Sequence, residues 1–435
     1  MKALLALVVL FWLAGCSQKP GIIGTTEITT WQGAKKGAVS ITFDDGSINQ
    51  FRQAIPILNR LGFKGTFFII TGNIPGSEYR GQFVGRPLQE LVAESAVMPT
   101  NDANFFERAS ALAYLGIPDA VDLHTEVGTL FEQGKKQDAY ALVDKGFAAA
   151  RVKAVSAAPR PSPEGGITWA EIFEFARQGH EFGNHTVTHP RLAVLDEANL
   201  LYEIEKGKEE LLRHLGSYHA FSAECPYGTE NERVMEYALK IHPALRNRMP
   251  EPFLEELNRW NDMDPGTSDK PYVQWQRGAL ADTPMTLMKS WIDTVVQNNN
   301  VWLVLVFHGV DGVGWEAKPH EELDEYFSYI KDHEDRLWVD TFGNVTRYMR
   351  ERMNGKVQTR MSDDAIMIEL THTLDPEMYS LPLTLRTYID DDWRRVTLVQ
   401  GTQVLQLVPD KDARGTYVQY HAIPNAGPVT IREAR

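Results

Sequence analysis

Seven consecutive apolar residues, Val301-Trp302-Leu303-Val304-Leu305-Val306-Phe307, constrain this chain more than any other segment. A strand with one wet face alternates apolar and polar side chains. An unbroken run of this length reads instead as a strand buried on both faces, the environment of a parallel sheet covered by helices. The preceding sequence repeats the pattern. Val39–Phe43 reads as a strand ending at an acidic turn, and Phe51, Ile55, Leu58 and Leu61 share one face of the helix after it. Gly65–Thr71 is a second strand. Thr168 and Glu171 have capping-box spacing ahead of a helix carrying Ile172, Phe175 and Ala176. A short strand at His180–Gly183 precedes a helix lined by Leu200, Ile204, Leu211 and Leu215. Ala220–Ala223 predicts a strand and Glu232–Ile241 a helix. Met288, Trp291, Ile292 and Val295 mark the helix before the long apolar strand, and a strand at Leu337–Val339 with a helix at Phe342–Met353 closes the series. Repeated βα units imply an α/β fold with a mostly parallel sheet, open or closed into a barrel.

Two segments leave this rhythm. Residues 75–163 are rich in Ala, Glu and Leu at helical spacing and end in Pro161-Ser162-Pro163, so they predict a helical insertion after the second strand. From 356 to 435 the pattern becomes short alternating strands separated by Asp, Gly and Pro, as in a small β-sandwich domain. The expected organisation is an export signal at 1–15, an anchor and linker at 16–36, the βα unit with its insertion at 37–355, and the β-sandwich-like domain at 356–435.

The first of these segments carries an address. Lys2 is followed by an apolar stretch from Ala3 to Leu13, too short to span a bilayer but suited to an export signal. Leu13-Ala14-Gly15-Cys16 resembles a bacterial lipobox, which implies cleavage before Cys16, acylation of its sulfur and a membrane partner through that lipid. An ordinary cleaved signal peptide is the alternative. Ser17 resembles the outer-membrane sorting context, so the expected place is the bacterial cell envelope, with the outer membrane or periplasmic side ahead of the cytoplasmic membrane. Cys225 is then a lone thiol in an oxidising compartment and should be buried. A net charge of −14, spread along 435 residues, argues against a nucleic-acid partner and mildly against a polyanionic substrate.

Three signals carry chemistry. Asp44-Asp45 follows the first strand; two adjacent carboxylates buried at a strand end call for a cation, whereas a solvated Asp-Asp-Gly turn calls for nothing. His185 and His189 are four apart, which can bring both imidazoles to one side of a helical turn to suit a divalent metal, or leave two capping histidines. His308 closes the apolar strand, where its polar edge faces either the catalytic rim of a parallel fold or a partner in the core. Each residue follows a strand expected to run parallel to the others, so one rim collects all of them, together with Pro226-Tyr227-Gly228.

The motifs Thr42-Phe43-Asp44-Asp45-Gly46, His185-Thr186-Val187-Thr188-His189-Pro190, the later Pro226-Tyr227-Gly228 and the strand-terminal His308 resemble those of the NodB-homology polysaccharide deacetylases, carbohydrate esterase family 4. The resemblance spans roughly residues 37–354. It implies an irregular (β/α) barrel with its site at the strand carboxyl ends. It further implies that Asp45, His185 and His189 bind a divalent metal, zinc first and cobalt, nickel or manganese also compatible, with Asp44 as general base and His308 as acid. The backbone N–H of Tyr227 would hold the oxyanion, and Trp315 is a candidate for stacking on a sugar. The implied substrate is an acetylated glycan, N- or O-linked. One position departs from the family pattern: Glu224 stands where an arginine often pairs with the catalytic Asp, and Arg277 is the candidate replacement. Two further readings stay open, a carbohydrate-binding homologue without activity and a hydrolase of a non-sugar amide or ester.

Overall fold

The computed structural model describes residues 22–152, 166–362 and 364–434. The expected signal peptide, Cys16 and the Pro161-Ser162-Pro163 linker lie outside the described residues. No described helix is long and apolar enough to cross a membrane. The described residues form two compact units, one from Thr30–Asn354 with Leu374–Leu381, and a smaller one in which 22–29 join Gly355–Thr373 and 382–434.

The larger unit is an α/β fold on nine parallel strands: β1 (Gly37–Phe43), β2 (Gly65–Ile69), β3 (Glu181–Asn184), β4 (Ser222–Ala223), β5 (Ala244–Leu245), β6 (Leu254–Leu257), β7 (Tyr272–Gly278), β8 (Val301–Phe307) and β9 (Leu337–Val339). They run across the sheet as β5-β4-β3-β2-β1-β8-β7-β6. β9 pairs with the first half of β1, beside β2, which takes the second half. β8 lies inside the sheet, between β1 and β7, and all seven of its residues are buried, as an unbroken apolar run requires. The faces of β1 differ. Val39, Ile41 and Phe43 pack outward with Phe51, Leu58, Phe67 and Phe182, whereas Ser40 and Thr42 donate hydrogen bonds to Asp340 O and Leu305 O (2.9 and 2.7 Å).

The sheet curls into an incomplete barrel whose ends are β5 and β6. Side chains bridge the gap: Gln274 and Gln276 on β7 both donate to the carbonyl oxygen of Arg246, just past β5 (3.1 and 2.6 Å). This explains why β7 is hard to see in the sequence. The segment Val273–Arg277, given no element by the sequence reading, belongs to a largely buried strand whose two glutamines point at a backbone acceptor instead of solvent.

Local signals set the other elements. The Trp169–Arg177 helix opens on the capping box read from sequence, with Thr168 N–H donating to Glu171 Oε2 (3.0 Å) and Glu171 N–H donating to Thr168 Oγ1 (3.3 Å). Between β2 and β3, helices Leu88–Glu94, Phe105–Leu112, Ala120–Glu132 and Lys136–Val152 share a core containing Leu91, Phe105, Leu112, Val127 and Phe147.

The smaller unit holds two antiparallel sheets. One has the order Thr26–Ile28, Leu383–Tyr388, Thr416–Ala422, Asp410–Lys411; the other has Lys356–Met361, Ile366–Thr371, Val429–Glu433, Val396–Gln400, Gln403–Leu407. Ile366, Ile368 and Leu370 are buried and their neighbours Met367 and Glu369 exposed, the alternation of a one-sided strand. Thr26–Ile28, in the segment expected to be anchor and linker, is an edge strand of this unit.

Candidate active site

Parallel strands end on one rim, so residues distant in sequence meet there. Asp44 and Asp45 follow β1, His185 and His189 follow β3, Glu224–Gly228 follow β4, Arg246 follows β5, and His308 follows β8.

Asp45, His185 and His189 converge. Asp45 Oδ1 lies 3.5 Å from His185 Nε2 and 3.3 Å from His189 Nε2, and one donor atom from each lies within 4.8 Å of the others. The two histidines are not on a helical turn as their spacing suggested. The chain doubles back because Asp45, Thr186 and His189 take positive φ (73°, 68° and 61°), strain that a functional site retains when its surroundings enforce it. Those surroundings are explicit. Asn184 Oδ1 accepts from Thr186 N–H (2.9 Å), and Glu203 accepts from Val187 N–H and Thr188 N–H (3.0 and 2.8 Å) and from the Thr188 hydroxyl (2.7 Å). His185 Nδ1–H donates to the Glu224 carbonyl oxygen (2.9 Å), which fixes the ring with Nε2 aimed at Asp45.

This donor set fits a divalent cation. Ligands ~2.0–2.1 Å from a tetrahedral ion stand about 3.3 Å apart, close to the two separations just given. With no ion to share, burial raises Asp45, and the His185 hydrogen bond together with the charges of His185 and His189 outweighs it and lowers the carboxyl. Burial and the charge of His185 push His189 down to about 4; for His185 burial is outweighed by the Asp45 hydrogen bond together with the charges of Asp44, Asp45 and Glu224, and its imidazole is raised.

Asp44 is almost fully buried and its chemistry is set by Arg246. The Arg246 guanidinium donates Nη1–H to Asp44 Oδ1 (2.8 Å) and to Thr42 Oγ1 (2.7 Å), and Nη2–H to Asp44 Oδ2 (2.5 Å). Burial raises the Asp44 carboxyl, but Arg246 and then His308 outweigh it and hold the group well below the usual carboxylate range. Arg246 also pairs with Glu224 Oε1 (2.9 Å), which accepts a further bond from Asn247 Nδ2 (3.1 Å). Glu224 is therefore the second arm of a buried triad, its carboxyl raised by burial.

Arg277 is corrected by the same geometry. Its guanidinium turns away from Asp44 to the carbonyl oxygens of Gln276 and Asn261 (2.9 and 3.0 Å) and lies over the Trp275 ring at 4.5 Å. The charge partner of Asp44 is Arg246, which the sequence reading missed. Its only signal is a basic residue after the two-residue strand Ala244–Leu245, too short to register as an element.

His308 Nε2 stands 3.5 Å from Asp44 Oδ2, and burial lowers its imidazole against the pull of Asp44. Gln50 Nε2 ties the two strand ends together by donating to both Asp44 O and His308 O (2.5 and 2.7 Å). Trp315, 53% exposed, meets the His308 ring edge-on at 4.6 Å. Tyr227 has φ 63°, and its ring packs 4.7 Å from His189 with the Arg191 guanidinium 3.9 Å above it. These groups line a cavity of about 400 Å³ together with Arg259. Cys225 is a buried thiol among Leu192, Leu200 and Val234, raised well above its ordinary range by burial.

Residues 32–96 and 124–245 match the family model described as polysaccharide deacetylase. A gellan lyase of a Bacillus species is 25% identical over 277 residues, which is 59% of this chain and 11% of that protein, so the chain covers a small part of that relative's length. Among solved structures, the Xyl-CE4 domain of a multidomain xylanase from the hindgut metagenome of Trinervitermes trinervoides is 12% identical, covering 72% of this chain and 89% of that one at a TM-score of 0.34. The peptidoglycan deacetylase PdaC of Bacillus subtilis is 12% identical, covering 73% and 94% at a TM-score of 0.30.

Proposed function

We propose that the chain is a polysaccharide deacetylase that removes N- or O-linked acetyl groups from a glycan, with a divalent cation held by Asp45, His185 and His189. The observation that carries this reading is the convergence of those three donors, which with Asp44 lie on the residues that match the family model, beside Arg246 and His308, which follow that stretch in the chain. A cation held there supplies Lewis acidity for the acetyl carbonyl and for the attacking water.

The chain's own groups do the rest. Asp44, kept ionised by Arg246, accepts the water's proton. The backbone N–H of Tyr227, presented by a left-handed turn, donates to the oxyanion that develops on the carbonyl. His308, within reach of Asp44, delivers a proton to the departing amine or alcohol. Trp315 offers an indole face at the cavity mouth for the sugar. Zinc suits two imidazoles and one carboxylate, and cobalt, nickel or manganese are compatible.

The binding-only alternative rested on Glu224 in place of arginine. Arg246 supplies that charge from the next strand, so the alternative loses its support. Purified protein should release acetate from acetylated glycans, stop when a chelator removes the metal, and resume with zinc or cobalt. Asp44→Asn should lower kcat by roughly 10²–10⁴ while leaving metal content intact. Acetate release that survives both chelator and Asp44→Asn would refute the reading. We further propose a lipid-anchored position in the bacterial cell envelope, supported by the pattern around Cys16; absence of fatty-acid label on the expressed protein would overturn it.

A further inference from the structure

The catalytic cavity has a cation on its wall that the mechanism above does not use. The neighbouring arginines are occupied: Arg246 by Asp44 and Glu224, Arg191 by Glu132 (2.8 Å), and Arg277 by backbone carbonyls. Arg259 is different. Among the described residues its guanidinium has no hydrogen-bond or ion-pair partner within contact distance; the Glu230 carboxylate, which shares the wall of an adjoining cavity with it, feels its charge, and its aromatic neighbour is the Trp260 ring at 5.6 Å.

Its placement is specific. Nη2 lies 3.1 Å from where a Cβ on Gly228 would stand, so that glycine leaves room for the guanidinium, while Cδ passes Gly278 at an ordinary contact distance, 3.6 Å from where its Cβ would be. The turn that carries it is built from two Asx turns, Asn258 Oδ1 accepting from Trp260 N–H (3.1 Å) and Asn261 Oδ1 from Met263 N–H (2.9 Å). Arg277 clamps this turn to β7 through the carbonyls of Asn258 and Asn261 (3.4 and 3.0 Å). Arg277 is thus a positioning residue for Arg259. Beyond Arg259 the cavity opens into a smaller polar one of about 90 Å³, lined also by Glu224, Glu230 and Trp260, the last of which is 76% exposed; with Glu224 held by Arg246, Arg259 is the donor left to meet an incoming anion there.

A planar guanidinium with unfilled donors matches a carboxylate better than a hydroxyl. The exposed indole beside it offers a platform for a sugar ring. We infer that Arg259 recognises a carboxylate on the glycan, so that the substrate class is an acetylated acidic polysaccharide with a uronate next to the acetylated sugar. The inference rests on the deacetylase reading. The net charge of −14 opposes a polyanion at long range, but that repulsion is screened over about 8 Å at physiological salt, whereas a contact pair is not.

The experiment compares acetylated glucuronoxylan, pectin and alginate oligosaccharides, each beside its own carboxyl-reduced form, using zinc-loaded protein. For at least one pair KM should be about tenfold lower on the acidic form. Arg259→Gln should bring that ratio towards one, Arg259→Lys should restore part of it, and Arg277→Gln should shrink it. Wild-type ratios near one on all three pairs, or a ratio that survives Arg259→Gln, would overturn the inference while leaving deacetylation intact. No acetate from any probe would instead remove the deacetylase reading. Calorimetric binding of the same pairs to wild type and Arg259→Gln then decides the carboxylate contact by itself: preference for the acidic form that disappears in the variant sustains it, and equal binding ends it.

Discussion

Asp44 and Glu224 share one guanidinium, and none of the three side chains touches bulk water to any extent. Removing one partner of a buried ion pair leaves an uncompensated charge and costs about 3–5 kcal/mol, more than the pair itself contributes. Arg246→Met strands two carboxylates and should lower the urea-derived unfolding free energy by that amount. Glu224→Gln leaves the double hydrogen bond to Asp44 in place and should cost far less. Equal losses in the two variants would refute the account of the triad. At this scale the sequence was partly legible. Asp44, Asp45, His185, His189 and His308 stand out because polar residues at the ends of apolar strands need a reason to be there. Arg246 does not, because its strand is two residues long and its partner lies 202 positions away. Glu224 was read as a gap in the pattern, when the missing charge comes from the neighbouring strand.

The loop after β3 owes its shape to side chains on the helix Glu197–Leu215, and the sequence gives no hint of that debt. Glu203 takes two backbone N–H groups and a hydroxyl from Val187 and Thr188, between the two histidines. Asn184 is held by the Ile204 carbonyl (2.9 Å), and a Cβ at Gly207 would fall 2.2 Å from its Oδ1. Partners that orient ligands in this way typically account for 10–100-fold in metal affinity. Glu203→Ala should therefore weaken zinc binding by roughly that factor, read by competition with a chelating dye, with both histidines still present. Unchanged affinity would mean the loop holds its left-handed turns without the helix. The helical-turn expectation for the histidine pair failed for the same reason: spacing of four is read as helix when propensity decides, and here tertiary hydrogen bonds decide. β7 was missed through a related effect, since glutamines satisfied by a buried carbonyl look like loop residues in the sequence. β8 and the Thr168–Glu171 capping box were legible because their signals are local.

Across the whole molecule, buried ionisable groups outside the catalytic cavity set how stability responds to pH. His180 accepts from Gly65 N–H at Nδ1 (3.1 Å), and His242 accepts from Asn184 at Nε2 (2.9 Å), so each is held neutral with one nitrogen already filled. Burial pushes them down to about 4 and about 3. The unfolded chain, with imidazoles near 6.5, binds more protons than the native one below that value. The stabilisation is therefore complete above pH ~6.5 and is lost as pH falls towards 4 and then 3. Glu256 has the opposite sign. Burial raises it to about 8 from 4.5, so the native state holds the extra proton between those values, and its contribution is complete below pH 4.5 and lost as pH rises through 8. Thermal midpoints should fall on both sides of a weakly acidic maximum. His242→Gln, whose amide oxygen can still accept from Asn184, should flatten the acid limb alone, and Glu256→Gln the alkaline limb alone. Parallel melting curves for wild type and both variants from pH 4 to 9 would show that other groups govern the limbs and would withdraw this assignment.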